Sequence, residues 1–378
     1  MKNVILTKEI DNLIYLLSCS ANNTVPDVKR VNSMDKESIY QIASSHSLVA
    51  MVAFSLEKVI ELPNNFDQQK KKAIRKLALF DIERIKLFEQ LEKNEIWYTP
   101  LKGVILMNYY PQYGMREMAD NDILCDAERM LDIKRIMMDL GFQCKEYNKR
   151  VDDTYFKAPV AFEMHRFLFD EREIDAFYLY FKNIKNKLIP VVNHNYELRF
   201  LPEDFYIYMI AHVYKHYTHG GTGIRSLLDT YVFLKRHNEQ LDWDYINQEL
   251  AVLSLTKFEE MNKNLAIKAF SGIPMDDEEK QLFMYYVSSG VYGTEERSWK
   301  NRISKKLSGD DSENSKRNYL FSRVFIHGEA LKNCYPFVYR YRILLPGLYI
   351  YRFIKAIFFK PKKIWTEYKR VKHFKYMK

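Results

Sequence analysis

What most limits how this chain can fold is a change of period: a short island of β-type patterning lies between two long stretches of helical patterning. From Val4 to about Glu92 apolar residues recur at helical spacing. One run extends from Lys36 to Val59 behind Asp35, and a second from Gln68 to Leu91, with the turn Pro63-Asn64-Asn65 between them. The character changes at Ile96-Trp97-Tyr98-Thr99, a β-branched and aromatic run that stops at Pro100 and leads into Leu101-Lys102-Gly103. A short helix from Val104 to Tyr110 ends at Pro111, and Asp120-Asn121-Asp122-Ile123-Leu124-Cys125 then reads as a strand with carboxylates at its leading end. A helix from Glu128 to Leu140, closed by Gly141, precedes strands at 142–147, 154–157 and 160–169, with a further short strand at 197–201. Helical patterning returns at Pro202 and continues to the end, broken at Gly220-Gly221-Thr222-Gly223, at Ser271-Gly272-Ile273-Pro274 and over 308–315.

This order predicts an α+β, mostly helical protein. A small mixed sheet in residues 93–202 is expected between an N-terminal helical unit, 1–92, and a C-terminal helical domain, 203–340, followed by a basic tail, 341–378. Composition agrees: the 378 residues are 47% hydrophobic and 15% aromatic, with only 12 Gly and 11 Pro, which suits a large buried core rich in helix. No uncharged apolar stretch reaches the roughly 20 residues that span a bilayer. Residues 16–19, Leu-Leu-Ser-Cys, look like a lipoprotein signal, but Lys8, Glu9, Asp11 and Asn12 interrupt the apolar region such a signal needs. Cys19, Cys125, Cys144 and Cys334 form neither a CxxC pair nor a compact framework, so reduced thiols in the cytoplasm are expected.

The formal charge of +9 sits in one place. Residues 352–378 carry ten Lys or Arg against the single acid Glu367, and the remainder of the chain has 48 bases and 48 acids. Ile354, Ile357, Phe358, Trp365, Tyr368 and Val371 alternate there with bases in an amphipathic pattern interrupted at Pro361, which can bind nucleic acid, cap the domain with a solvated face or, the reading favoured by the apolar run 343–350 before it, lie on the anionic surface of a membrane's inner face. The charge-balanced body and the lack of a recognition motif argue against a nucleic-acid module.

The chemistry lies in the island. Asp120 and Asp122, one residue apart on a strand, project to the same face while Asn121 points away. Glu163, in Ala161-Phe162-Glu163-Met164-His165, interrupts an apolar strand where an unpaired acid is costly. Three such carboxylates suit hard divalent ions, Mg²⁺ or Mn²⁺, and two ions are what transfer of a nucleotidyl group requires. Gly103 permits close backbone approach to a phosphate at the start of a helix. Lys102 adds a charge-assisted contact, and Arg116 is placed to hold either a triphosphate or the aspartates. Taken alone, a DxD is more often a solvated turn; the ordered combination is what gives it weight. His212 and His216, four apart on a helix, share a face, a geometry open to metal binding or substrate contact, although a pair hydrogen-bonded within the helical core is the favoured expectation. Arg225 and Asp229 have the same spacing and read most simply as a helix-surface pair.

Leu101-Lys102-Gly103, Tyr110-Pro111, Arg116 to Leu124, Gly141-Phe142 and Glu163-Met164-His165 resemble the uncharacterised nucleotidyltransferase family of bacteria, within the DNA polymerase β superfamily. The resemblance extends through Pro202-Glu203-Asp204, His212, His216 and Arg225 to Asp229. It implies a polymerase β-type core with Asp120, Asp122 and Glu163 as metal-binding catalytic carboxylates, and Lys102, Gly103 and Arg116 on the nucleotide. His165, His212, His216, Arg225 and Asp229 would lie near the substrate pocket. The implied reaction moves a nucleoside monophosphate from a nucleoside triphosphate to an acceptor hydroxyl on a sugar, small molecule, protein or nucleic acid. The alternative is a non-catalytic descendant that binds a nucleotide or a partner. Two departures from the superfamily pattern are visible: the turn is Lys-Gly instead of Gly-Ser or Gly-Gly, and Asn121 stands where an apolar residue is usual.

Overall fold

The computed structural model describes residues 7–290 and 335–359, together with 293, 321, 325, 326 and 331. Contacts divide the chain into two compact units, 1–217 with 221–293, and 218–220 with 294–378. In the second, the described helices are Pro336–Arg340 and Leu345–Phe359. The expected basic tail lies, from residue 360 onward, outside the described residues. Among the described residues no helix is long and apolar enough to cross a membrane.

The first unit opens with five helices: α1 (Lys8–Asn22), α2 (Val28–Asn32), α3 (Lys36–Ser45), α4 (Val49–Leu56) and α5 (Asn64–Lys93). The β island follows as β1 (Tyr98–Pro100), α6 (Lys102–Leu106), β2 (Asn121–Cys125), α7 (Met130–Asp139), β3 (Gln143–Glu146), β4 (Asp152–Lys157) and β5 (Val160–His165). These strands form one mixed sheet in the order β1-β2-β5-β4-β3, in which only β2 and β5 run parallel. Segments 98–100, 121–125 and 160–165 therefore share one sheet, as the alternating patterns predict.

The chain continues through α8 (Asp175–Phe181), β6 (Ile189–Pro190), β7 (Leu198–Arg199), α9 (Pro202–His219), α10 (Ile224–His237), α11 (Trp243–Val252), α12 (Thr256–Ser271) and α13 (Asp277–Val287). The strand expected at 197–201 pairs with β6 in a separate two-stranded sheet, touching the main sheet through a bridge from Glu197 to Tyr98. Two residues at 189–190 carry too little pattern for β6 to be read from sequence.

Period-two alternation gives β2 and β5 two different faces. Ile123, Cys125, Phe162 and Met164 pack on the buried side of α5, against Leu77, Phe80, Leu87 and Leu91. Leu124 belongs to the other layer, with Leu101 and Leu106 and, from α9, Phe205 and Tyr208. By the same alternation Asp122, Glu163 and His165 face the α9 side, and Asn121 faces α5.

The expected single helix over 36–59 is broken at His46 to Leu48, where Ser47 takes a positive φ of 53°. His46 explains the break. Its fully buried ring bridges two distant helices, Nε2 donating to Val287 O at 2.9 Å and Nδ1 accepting from Ile224 N at 3.4 Å. Gly223 permits this approach, since a Cβ there would lie 2.6 Å from Gly290 O and 2.7 Å from His46 Nδ1. N-terminal and C-terminal helices thus share one core, in which Leu13, Leu17, Val52 and Phe54 lie in one cluster with Ile224, Leu228, Phe270 and Phe283.

Burial lowers the His46 pKa to about 4, outweighing the hydrogen bond to Val287, with the nearby Arg225 adding to the effect. A histidine depressed from 6.5 to about 4 does not affect stability above pH 6.5 and costs progressively more as pH falls towards 4. The full loss is about 3 kcal/mol at 1.36 kcal/mol per pKa unit. Urea unfolding at pH 7, 5.5 and 4 should show this component in the wild-type chain and lose it in His46→Gln; identical pH profiles would exclude it.

Candidate functional site

The parallel pairing of β2 with β5 sets Asp122 directly opposite Glu163 and Leu124 opposite His165. One ligand atom from each of Asp122, Glu163 and His165 lies within 4.8 Å of the others. Asp120 immediately precedes β2. Together with Asp122 and Glu163 it lines a cleft of about 310 Å³, whose opposite wall is one face of α9: Phe205, Tyr208, Met209, His212, Val213 and His216. These positions follow i, i+3, i+4, i+7, i+8, i+11, the spacing of a single helical stripe.

A lysine ammonium and an imidazole nitrogen converge on one oxygen of Asp122. Lys102 Nζ lies 2.6 Å and His165 Nε2 2.9 Å from Asp122 Oδ1. Burial opposes ionisation of Asp122, but Lys102 and the His165 hydrogen bond outweigh it and hold the carboxyl far below the usual range. Burial and Lys102 act to lower the His165 pKa, and its hydrogen bonds to Asp122 and Glu163 reverse the balance and raise it. Burial likewise disfavours the Lys102 ammonium, and the charge of Asp122 more than restores it. Lys102 takes a positive φ of 43°, unusual for a residue with a Cβ, at the point where β1 turns into the five-residue α6. For Asp120 the charges of Lys102 and Arg225 offset only part of the cost. Burial first, then the negative charges of Asp122 and Glu163, push its pKa up to about 6.

The remaining sequence-predicted residues line the same cleft with different partners. Arg116 turns away from the aspartates to form a buried bidentate pair with Asp229, Nε to Oδ1 at 2.8 Å and Nη2 to Oδ2 at 2.9 Å, and Tyr110 Oη donates to the same carboxylate at 2.8 Å. The reading of Arg225 and Asp229 as a helix-surface pair is therefore corrected. Asp229 is buried because Arg116 supplies a complete two-pronged partner, and Arg225 donates to Glu117 O at 3.1 Å. Gly103 accommodates Arg116, since a Cβ on it would collide with the guanidinium and with Met118. His212 and His216 meet at 3.2 Å between their Nε2 atoms and line the cleft. Burial, followed by Lys102, His216 and Lys215, keeps the His212 pKa well below the ordinary histidine value.

Three participants escaped the sequence reading. Arg84 reaches from α5 to the back of the sheet, where its Nη1 donates to Asn121 Oδ1 at 2.8 Å; Asp81 holds the same guanidinium, and Tyr113 Oη donates to Asp81 at 2.5 Å. Asn121 therefore stands in place of an apolar residue because a buried arginine meets it. The signal was available: Arg84 occupies the stripe of Leu77, Phe80, Leu87 and Leu91, a charge on an apolar face. Asp152, the first residue of β4, is the register partner of His165, and its pKa is raised by burial, with Glu163 adding to the effect. Nothing local distinguishes it. Tyr208 was hidden among the aromatic residues of α9.

The sequence model of the uncharacterised nucleotidyltransferase family matches residues 32–270. The chain belongs to this family. The matched stretch takes in β1 to β5, α9 and α10, so both walls of the cleft are family structure. No curated protein and no solved structure matches the chain.

The strained member of the cluster can be tested directly. Asp120 ionises near 3.8 when unfolded and near 6 in the fold, so its ionisation opposes folding above pH 3.8, and fully above pH 6. In EDTA at pH 8, Asp120→Asn should therefore be more stable than wild type by up to about 3 kcal/mol, with the gain vanishing near pH 4. Chemical denaturation at both pH values measures it, and a destabilised variant at pH 8 would refute the repulsive cluster.

Proposed function

We propose that the chain is a metal-dependent nucleotidyltransferase with a polymerase β-type site, moving a nucleoside monophosphate from a nucleoside triphosphate to an acceptor hydroxyl and releasing pyrophosphate. The observation that carries this reading is the register pairing of Asp122 with Glu163 beside Asp120, whose pKa is pushed up to about 6 by burial and then by that company. Like charges crowded together in a cleft call for a cation.

The donor set fits a divalent ion. Carboxylates of Asp120, Asp122 and Glu163 suit Mg²⁺ or Mn²⁺, and the His165 ring contributes a nitrogen within the same 4.8 Å cluster. Two ions held there would supply charge neutralisation for the triphosphate and lower the pKa of the attacking hydroxyl. Within this proposal Glu163 accepts the acceptor's proton, being a carboxylate that stays partly exposed at the cleft. Lys102 transfers its hydrogen bond from Asp122 to a phosphate oxygen. Arg116 keeps Asp229 and with it positions α10 against the turn at Gly103. Arg84 holds the strand from behind through Asn121, which fixes the direction in which Asp120 and Asp122 project.

One observation favours a second reading, a non-catalytic nucleotide-binding protein: Lys102 already pairs with Asp122, and His165 hydrogen-bonds the same oxygen. Pyrophosphate release separates the two. With Mn²⁺ and each labelled nucleoside triphosphate, the full chain incubated with cell extract should release pyrophosphate and label an acceptor, whose identity the product gives. Asp122→Asn should lower the rate by at least about a hundredfold, as expected when a group stabilising the transition state is lost. Mg²⁺ or Mn²⁺ should raise the melting temperature of wild type and a triphosphate should raise it further. A melting temperature indifferent to both, with no pyrophosphate formed, would remove the enzyme reading.

A further inference from the structure

Three buried tyrosine hydroxyls, those of Tyr98, Tyr155 and Tyr208, have no hydrogen-bond partner among the described residues. Tyr98 and Tyr155 belong to the cluster between the sheet and α5, away from the cleft. Tyr208 lines the cleft, and the charges acting on its phenol are those of Lys102, Asp122 and Glu163. Its ring has little freedom to seek a partner elsewhere. It stacks on Phe200 at 5.7 Å with planes 8° apart, and meets Phe169, Phe181 and Phe205 at centroid distances of 6.0, 6.0 and 6.3 Å. A buried hydroxyl without a partner costs free energy, and the fixed ring makes that cost permanent in the protein alone.

We propose that Tyr208 is a substrate-contacting residue, its Oη donating a hydrogen bond to a phosphate oxygen of the nucleotide bound between Lys102 and α9. This rests on the reading of the cleft as a nucleotide site and extends it to the helical wall. Burial pushes the Tyr208 pKa up, only partly offset by Lys102, so the phenol keeps its proton as a donor must. The neighbouring positions fit the same role: His212, one turn along α9, is kept neutral and faces the cleft with His216. An anionic oxygen near Lys102 satisfies the phenol and places a charge-assisted hydrogen bond in a site sheltered from water.

The test separates stability from binding because Tyr208→Phe removes one oxygen and nothing else. Full-length wild type and Tyr208→Phe are melted without ligand, then titrated by calorimetry with α,β-methylene analogues of the four nucleoside triphosphates in Mn²⁺. The expected result is an unchanged or higher melting temperature for Tyr208→Phe, together with binding weakened about tenfold or more, the range for a hydrogen bond to a charged group. Equal affinity for both proteins would overturn the proposal and leave the nucleotide reading standing. A lower melting temperature would also overturn it, because the hydroxyl would then have a structural partner. Failure of wild type to bind any analogue would remove the nucleotide reading and this inference with it.

Discussion

The parallel pairing of β2 with β5 is the constraint on which the rest of this molecule depends. It joins strands whose carboxylates fall in the same register row, so Asp122 and Glu163 stand side by side on the face turned towards α9. Burial of Asp120 just ahead of them, reinforced by charge repulsion from these two acids, pushes its pKa up to about 6. Lys102 and His165 offset that repulsion by sharing a single oxygen of Asp122. Everything around the pair serves to keep it buried and oriented: α5 and Arg84 behind the sheet, α9 across the cleft, and the Arg116–Asp229 pair holding α10 beside the Gly103 turn.

Such an arrangement concentrates its unfavourable terms in one place. Asp120 is ionised against its neighbours, Lys102 adopts a left-handed backbone, and Tyr208 buries a hydroxyl without a protein partner. Each is a local cost that the large apolar clusters on either side of the sheet are able to carry, and each faces the same cleft. Other buried polar groups of the unit are matched: His46 uses both ring nitrogens, and Asp229 receives three hydrogen bonds from Tyr110 and Arg116.

The order of elements and the core carboxylates were legible in the sequence because they rest on local rules. Alternation at Ile123, Leu124 and Cys125 and at Phe162, Glu163 and Met164 specifies strands with one chemical face, and the same period separates Asn121 from the flanking aspartates. Turn residues located the ends of α5, β1 and α7. Arg84 was legible in principle, as a charge within an apolar helical stripe. The break at His46 and the pairing of β6 with β7 were not, because the first depends on helices more than 170 residues away and the second on two residues without pattern.

Sequence by itself thus determined which residues carry charge, on which strand and on which face of it, since backbone periodicity is a property of neighbours along the chain. Only the tertiary structure decided which charges meet. Arg225 and Asp229 are separated by one helical turn, and spacing alone pairs them, yet Asp229 binds Arg116 from 113 residues away because the planar guanidinium offers two parallel donors inside a buried wall. Lys102 and Asp122 became partners through the pairing of β1 with β2, and Tyr208 came to face them through the packing of α9 on the sheet. Long-range pairings are selected by shape and desolvation across the whole core, and no local pattern in the chain encodes them.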